Sequence, residues 1–255
     1  MKRYLNLFKA EGLKSWCEFK RYLFNTFMEI IVMYIIFLFM FYGIKIFAGT
    51  AVSNDGLDAL VIGYIMWMFA ITGFSSTSQL ISGEMQKGTL EQLYLCPLGI
   101  EFSVMFRLIF DTIISFLFIV VIIFLTMLTT NRWLHIDVIR VIPILLISLP
   151  CLWGLGLAIS GLILIFKKFN ALGSVLTFGL IGAVSVPAYP LNSFSFIPFS
   201  AGAYTIQMIV RKNFQFNIEW YLFIATLSIF YFFIGVVIYK KLEKIARKKN
   251  LLGQY

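Results

Sequence analysis

Six long apolar runs dominate this 255-residue chain, at about residues 24–47, 57–82, 100–129, 139–166, 171–189 and 217–240. A helix needs roughly 20 apolar residues to cross the hydrocarbon of a bilayer, and the runs are of that length or longer. No water reaches backbone N–H and C=O groups in hydrocarbon, so a crossing segment satisfies them within a helix or within a closed barrel. Short alternating strands of the barrel kind are absent from the pattern. The expectation is therefore an all-α integral membrane protein with six transmembrane helices. Hydrophobic residues make up 60% of the chain and charged ones 13%, far from the balance of a soluble domain of this size. Six spans leave no room for a sizeable water-soluble part, so residues 1–255 read as one domain: an interfacial helix at 1–23, a bundle at 24–240 and a basic tail at 241–255.

Residues 2–23 carry Leu5, Phe8, Gly12, Trp16, Phe19 and Leu23 at helical spacing, with Lys2, Lys9, Lys14 and Lys20 over the remaining surface. Such an amphipathic helix lies along a membrane with its lysines toward phosphate groups. The first apolar run, from Leu23 to about Phe47, is longer than the core of a cleavable signal peptide and is expected to stay in the mature protein.

The formal charge of +9 comes from Lys and Arg gathered beside apolar runs. That arrangement serves lipid attraction and topology rather than nucleic acid. Sixteen of the 21 basic residues fall on one side of the expected membrane and five on the other, which puts both termini and the connection after the second span in the cytoplasm. Cys17, Cys96 and Cys151 form no close pair, so neither a disulfide framework nor a metal cluster is indicated.

Between the second and third runs lies a polar island, Ser82 to Pro97. Gly88 allows a tight turn, and Thr89 followed three residues later by Gln92 fits a capping box, in which each side chain satisfies a backbone N–H of the first helical turn. Pro97 ends the element. Leu90, Leu93 and Tyr94 then share one face, while Glu91 and Gln92 point elsewhere, so a short cytoplasmic helix offers an apolar ridge to a partner.

Three charged residues, Glu29, Arg107 and Asp111, fall inside apolar runs, where an unpaired charge costs on the order of 3 kcal/mol. Arg107 and Asp111 stand at i and i+4 and can pair. Glu29 requires a basic group on a neighbouring helix, and the three are expected to form an ion-pair network near the cytoplasmic end. In the fourth run Gly154, Gly156, Ser160 and Gly161 let helix backbones approach closely. The connection 187–216 is apolar but broken by Pro187, Pro190 and Pro198, which points to short helices dipping back into the outer leaflet. Catalytic patterns are missing. His135 is the only histidine, so H-E-x-x-H is excluded, and no G-x-x-x-x-G-K-[ST] loop exists to cradle ATP.

The order of an acidic residue at Glu84, then Gly88-Thr89-Leu90-Glu91-Gln92-Leu93, Tyr94 and a proline at Pro97 resembles the cytoplasmic coupling segment of the permeases of ATP-binding cassette type-2 exporters. The run from Pro198 to Tyr204, followed by Arg211, is similar to the re-entrant outer segment of the same family. The resemblance extends over the whole layout, with one departure: charged residues upstream of Gly88 are sparser here. It implies a permease in a bacterial cytoplasmic membrane, paired with a second copy or a sister chain. Two separate ATPase subunits, which carry the ATP and Mg, would dock on residues 84–94. This chain itself would bind no cofactor and catalyse nothing, and the cargo would be a hydrophobic or amphipathic drug, peptide or lipid. Two other classes stand beside this one. An intramembrane enzyme acting on lipid or peptide requires a midplane polar cluster, and an ion-coupled secondary transporter requires midplane charges and often an internal repeat.

Overall fold

The computed structural model describes residues 2–48, 54–89, 93, 98, 100–131, 133, 137–166 and 170–248. Among them the elements are helices: α1 (Lys2–Arg21), α2 (Leu23–Ala48), α3 (Asn54–Gln86), α4 (Ile100–Thr130), α5 (Val138–Phe166), α6 (Asn170–Ser185), a 3-10 turn (Ser193–Phe196), α7 (Ser200–Lys212) and α8 (Ile218–Lys248). Five of them, α2, α3, α4, α5 and α8, are long and apolar enough to cross a membrane.

The sequence leads to six spans, and the fifth of these is where the structure differs. The run 171–189 becomes α6, which stops at Ser185. Its 16 residues rise only about 24 Å, short of a hydrocarbon thickness. Pro187 has no N–H to continue the ladder and restricts the residue before it, so the helix ends there although the apolar composition runs on.

Two helices make the core. The apolar windows of α3 and α5 are 67% and 61% buried, against 11% for α2 and 17% for each of α4 and α8, which form the outer wall. Small residues of α5 bring it close to helices on both sides. A Cβ on Gly154 of α5 would lie 2.5 Å from the backbone oxygen of Tyr231 in α8, and one on Gly235 would strike the Gly154 carbonyl. On the other side of α5, a Cβ on Gly156 would lie 2.6 Å from the carbonyl of Phe74 in α3. Membrane helices gain contact in this way because lipid supplies no hydrophobic drive between them.

The C-terminal end of α3 and the N-terminal end of α4 meet at what we call the base of the bundle, and α1 runs from there along α4, with Tyr4 on Phe102 and Phe19 on Phe118. At the opposite, distal end Arg211 donates to the backbone carbonyl of Asp55 (3.3 Å). After α6 the chain turns at Tyr189, whose ring packs on Phe214, Phe216 and Trp220 with centroids 5.1–5.8 Å apart. It then runs back along the bundle. Asn192 caps the 3-10 turn by accepting from the Ser195 N–H (3.0 Å), the Tyr231 hydroxyl donates to the Phe196 carbonyl (2.7 Å), and Phe199 stacks on Phe69 of α3 at 5.9 Å. Phe69 is 14 residues along α3 from Asp55, about 21 Å of helix rise. From there α7 returns to the distal end. Buried Ser200, Ala201, Gly202 and Ala203 start it, Gln207 donates to the Val184 carbonyl (2.9 Å), and Trp220 donates to Thr205 (2.8 Å). Pro187, Pro190 and Pro198 thus flank an inward strand of irregular chain, and Tyr204 lies on α7 packed against the core.

Candidate functional site: a charged joint at the base

The joint is made where three helices meet. Arg107, on the second turn of α4, points into the bundle and is 7% exposed. Its Nη1 donates to Oε1 of Glu84 (2.7 Å), and its Nη2 pairs with Glu18 of α1. Glu84, 2% exposed near the end of α3, also accepts from Lys14 (2.8 Å) and from the Thr89 hydroxyl (2.6 Å). Lys87 closes the ring by donating to Glu18 (3.0 Å). Beside it, Ser15 donates to Asp111 (3.1 Å) and the Ser103 hydroxyl donates to buried Glu11.

Burying Glu84 and Arg107 is tolerable because each is matched by opposite charges, whereas Glu11 is met by the Ser103 hydroxyl alone and its Oε2 has no hydrogen-bond partner among the described residues. The apolar residues of α1 complete the seam. Phe8 packs on Phe106 and Phe110, Phe19 on Phe118, and a Cβ on Gly12 would lie 2.7 Å from the Phe110 ring. The effect is to tie α1, the foot of α3 and the foot of α4 into one body.

Of the residues singled out from sequence, Glu84, Arg107 and Asp111 belong to the joint. The Arg107–Asp111 contact is its loosest pair, at 3.9 Å from Nε. Glu29 does not join them. It is exposed on α2, forms no ion pair among the described residues, and lines a cleft that Arg107 also borders without pairing with it. The reason is geometric: Glu18 and Glu84 reach Arg107 from helices packed directly against α4 and occupy both terminal nitrogens first.

Gly88 has φ +67°, the left-handed value that favours glycine, and it ends α3. The Thr89 hydroxyl donates to the Glu84 carboxylate, and the remainder of the expected capping box, at Gln92, lies outside the described residues. A helical bond from the Leu93 N–H to the Thr89 carbonyl (3.1 Å) starts a turn at this point. Leu93 is partly buried against the core and lines a pocket of about 310 Å³ at the base with Glu11, Lys14 and Thr89. Leu90, Glu91, Gln92 and Tyr94 lie outside the described residues.

Reading the sequence for hydrophobicity missed Glu11, Ser15 and Glu18. They stand at i, i+4 and i+7, so they form a polar stripe on one face of α1, and that stripe is the face turned inward. The signal was present as acidic residues at helical spacing in a helix otherwise rich in lysine. Among the described residues no group of three or more His, Cys, Asp or Glu side chains is placed to hold a metal ion. The sequence matches no protein-family model and no curated protein.

Proposed function

We propose that the chain is the membrane-spanning permease of an ATP-driven exporter, working as a pair with a second copy or a sister chain and driven by two separate ATPase subunits. The observation that supports this reading most is the joint itself. Glu84 and Lys87, at the foot of α3, are fastened by ion pairs to α1 and α4, and α3 continues from them into the core. A push delivered to a coupling helix just beyond Gly88 would therefore not dissipate in a loose loop. It would move α1, α3 and α4 together and reach the inner helix of the bundle. The excess of Lys and Arg along α1 and at the end of α8 favours a cytoplasmic base, where ATP is found, in a bacterial cytoplasmic membrane. In this reading ATP and Mg belong to the partner, and this chain binds no cofactor and performs no hydrolysis.

The test is copurification. Leu90→Asp combined with Leu93→Asp puts two charges on the ridge and is expected to abolish recovery of the ATPase with the permease while the permease remains in the membrane fraction. Undiminished recovery rejects the docking role. A second reading, an ion-coupled carrier, draws support from Glu29 and Asp111 facing a common cleft. It requires transport by the purified chain alone in vesicles carrying only an ion gradient.

A further inference from the structure

A cleft of about 600 Å³ opens between α2 and the α3–α4 pair, directly above the joint. One part of its wall is polar more than a turn in from the helix ends. Glu29 lies six residues into α2, about 9 Å of rise, and Gln79 and Ser76 of α3 lie seven and ten residues from its end, about 10 and 15 Å. All three line the cleft. The Glu29 carboxylate and the Gln79 amide are costly against lipid, which favours a cleft open to water from the base.

Elsewhere along the helices the wall is apolar, with Met33 of α2, Met68 of α3 and Phe118 and Ile119 of α4. The charges do not balance. Glu18, Glu29, Glu84 and Asp111 line the cleft against Lys87 and Arg107. Adding Lys14, which reaches Glu84 from the far side, still leaves one carboxylate in excess. Glu29 has no ion partner among the described residues, and both terminal nitrogens of Arg107 are engaged by other acids than Asp111.

We propose that this cleft is a binding site for an organic cation with an apolar or aromatic body, entering from the base. The positive centre lies between Glu29 and Asp111, and the body rests on the methionine and phenylalanine wall, where thioethers and ring faces suit a flat or irregular apolar surface carrying positive charge. A bare metal ion is not the occupant, because no three ligating side chains converge among the described residues. An anion would meet the excess carboxylate. The inference deepens the export reading by naming the cargo class, and it rests on that reading only for the direction of travel.

Equilibrium binding of tetraphenylphosphonium to the purified full-length chain in detergent tests it, with tetraphenylborate as the ion of the same shape and opposite charge. The wild type is expected to bind the phosphonium saturably and at least tenfold more tightly than the borate. Glu29→Gln is expected to weaken phosphonium binding about fivefold, the effect of losing one partly exposed charge. Ser76→Trp, which fills the cleft from a half-buried position, is expected to abolish it while the thermal melt stays that of a folded protein. Equal binding of the two ions, no saturable phosphonium binding, or binding unaffected by both substitutions overturns the proposal. Copurification with the wild-type chain separates the two readings: persistent cation binding with no ATPase recovered by the wild type removes the exporter and leaves the site, and ATPase recovered by the wild type without cation binding removes the site alone.

Discussion

Arg107 concentrates the energetics of the base in one side chain. Its guanidinium holds Glu18 and Glu84, and Glu84 is nearly sealed from solvent. Removing one partner of a buried pair leaves an uncompensated charge and costs about 3–5 kcal/mol. Arg107→Ala is therefore expected to lower the thermal midpoint, followed by tryptophan fluorescence in detergent, by more than Lys87→Ala, whose ammonium is half exposed. The double variant Arg107→Met with Glu84→Gln is expected to lose less than the sum of its single changes, because the second removes the charge the first has stranded. Additive losses would mean that the two side chains do not interact. The sequence located Arg107 and Asp111 as charges needing partners, and it located them correctly along α4. It did not find Glu18, because the partner lies 89 positions away on a helix whose apolar stripe drew attention from its polar one.

The α5–α8 pair decides packing among the elements. Gly154 and Gly235 touch through backbone, so a β-branched side chain at either site would push the helices apart along their whole contact. Gly235→Val is expected to cause a large loss of stability, of the 1–3 kcal/mol kind produced by overpacking or more, together with aggregation on extraction. Gly63→Ala in α3 has open space around its Cβ and is expected to change stability by less than about 1 kcal/mol, with a gain in helix propensity. An unchanged melt for Gly235→Val would show that the close approach is not required. The small residues of α5 were legible from spacing alone. The choice of α8 and α3 as the helices they admit was not, since spacing gives a face and no neighbour.

For the molecule as a whole, the charge bias gives an orientation that labelling can check. With the native cysteines replaced, a membrane-impermeant maleimide applied to intact cells is expected to reach a cysteine at Asp55, beside Arg211 at the distal end, and to miss one at Gln92. The reverse pattern inverts the topology and with it the coupling reading. The chain's own residues settled that it is helical and built for a bilayer, where the strongest charges stand along each helix, and that the stretch after α6 cannot be one straight helix. Those are local properties, fixed by run length, by backbone groups that have no other partner in hydrocarbon, and by proline. Folding in three dimensions settled the rest: that α6 stops short and the chain doubles back, that α1 turns its acidic stripe inward, and that Lys14, Glu18, Glu84 and Arg107 form one joint. Lys14 and Glu84 are 70 positions apart, and Ser15 and Asp111 are 96. Pairings at that range depend on which helices pack together, and no periodicity within a single segment encodes it.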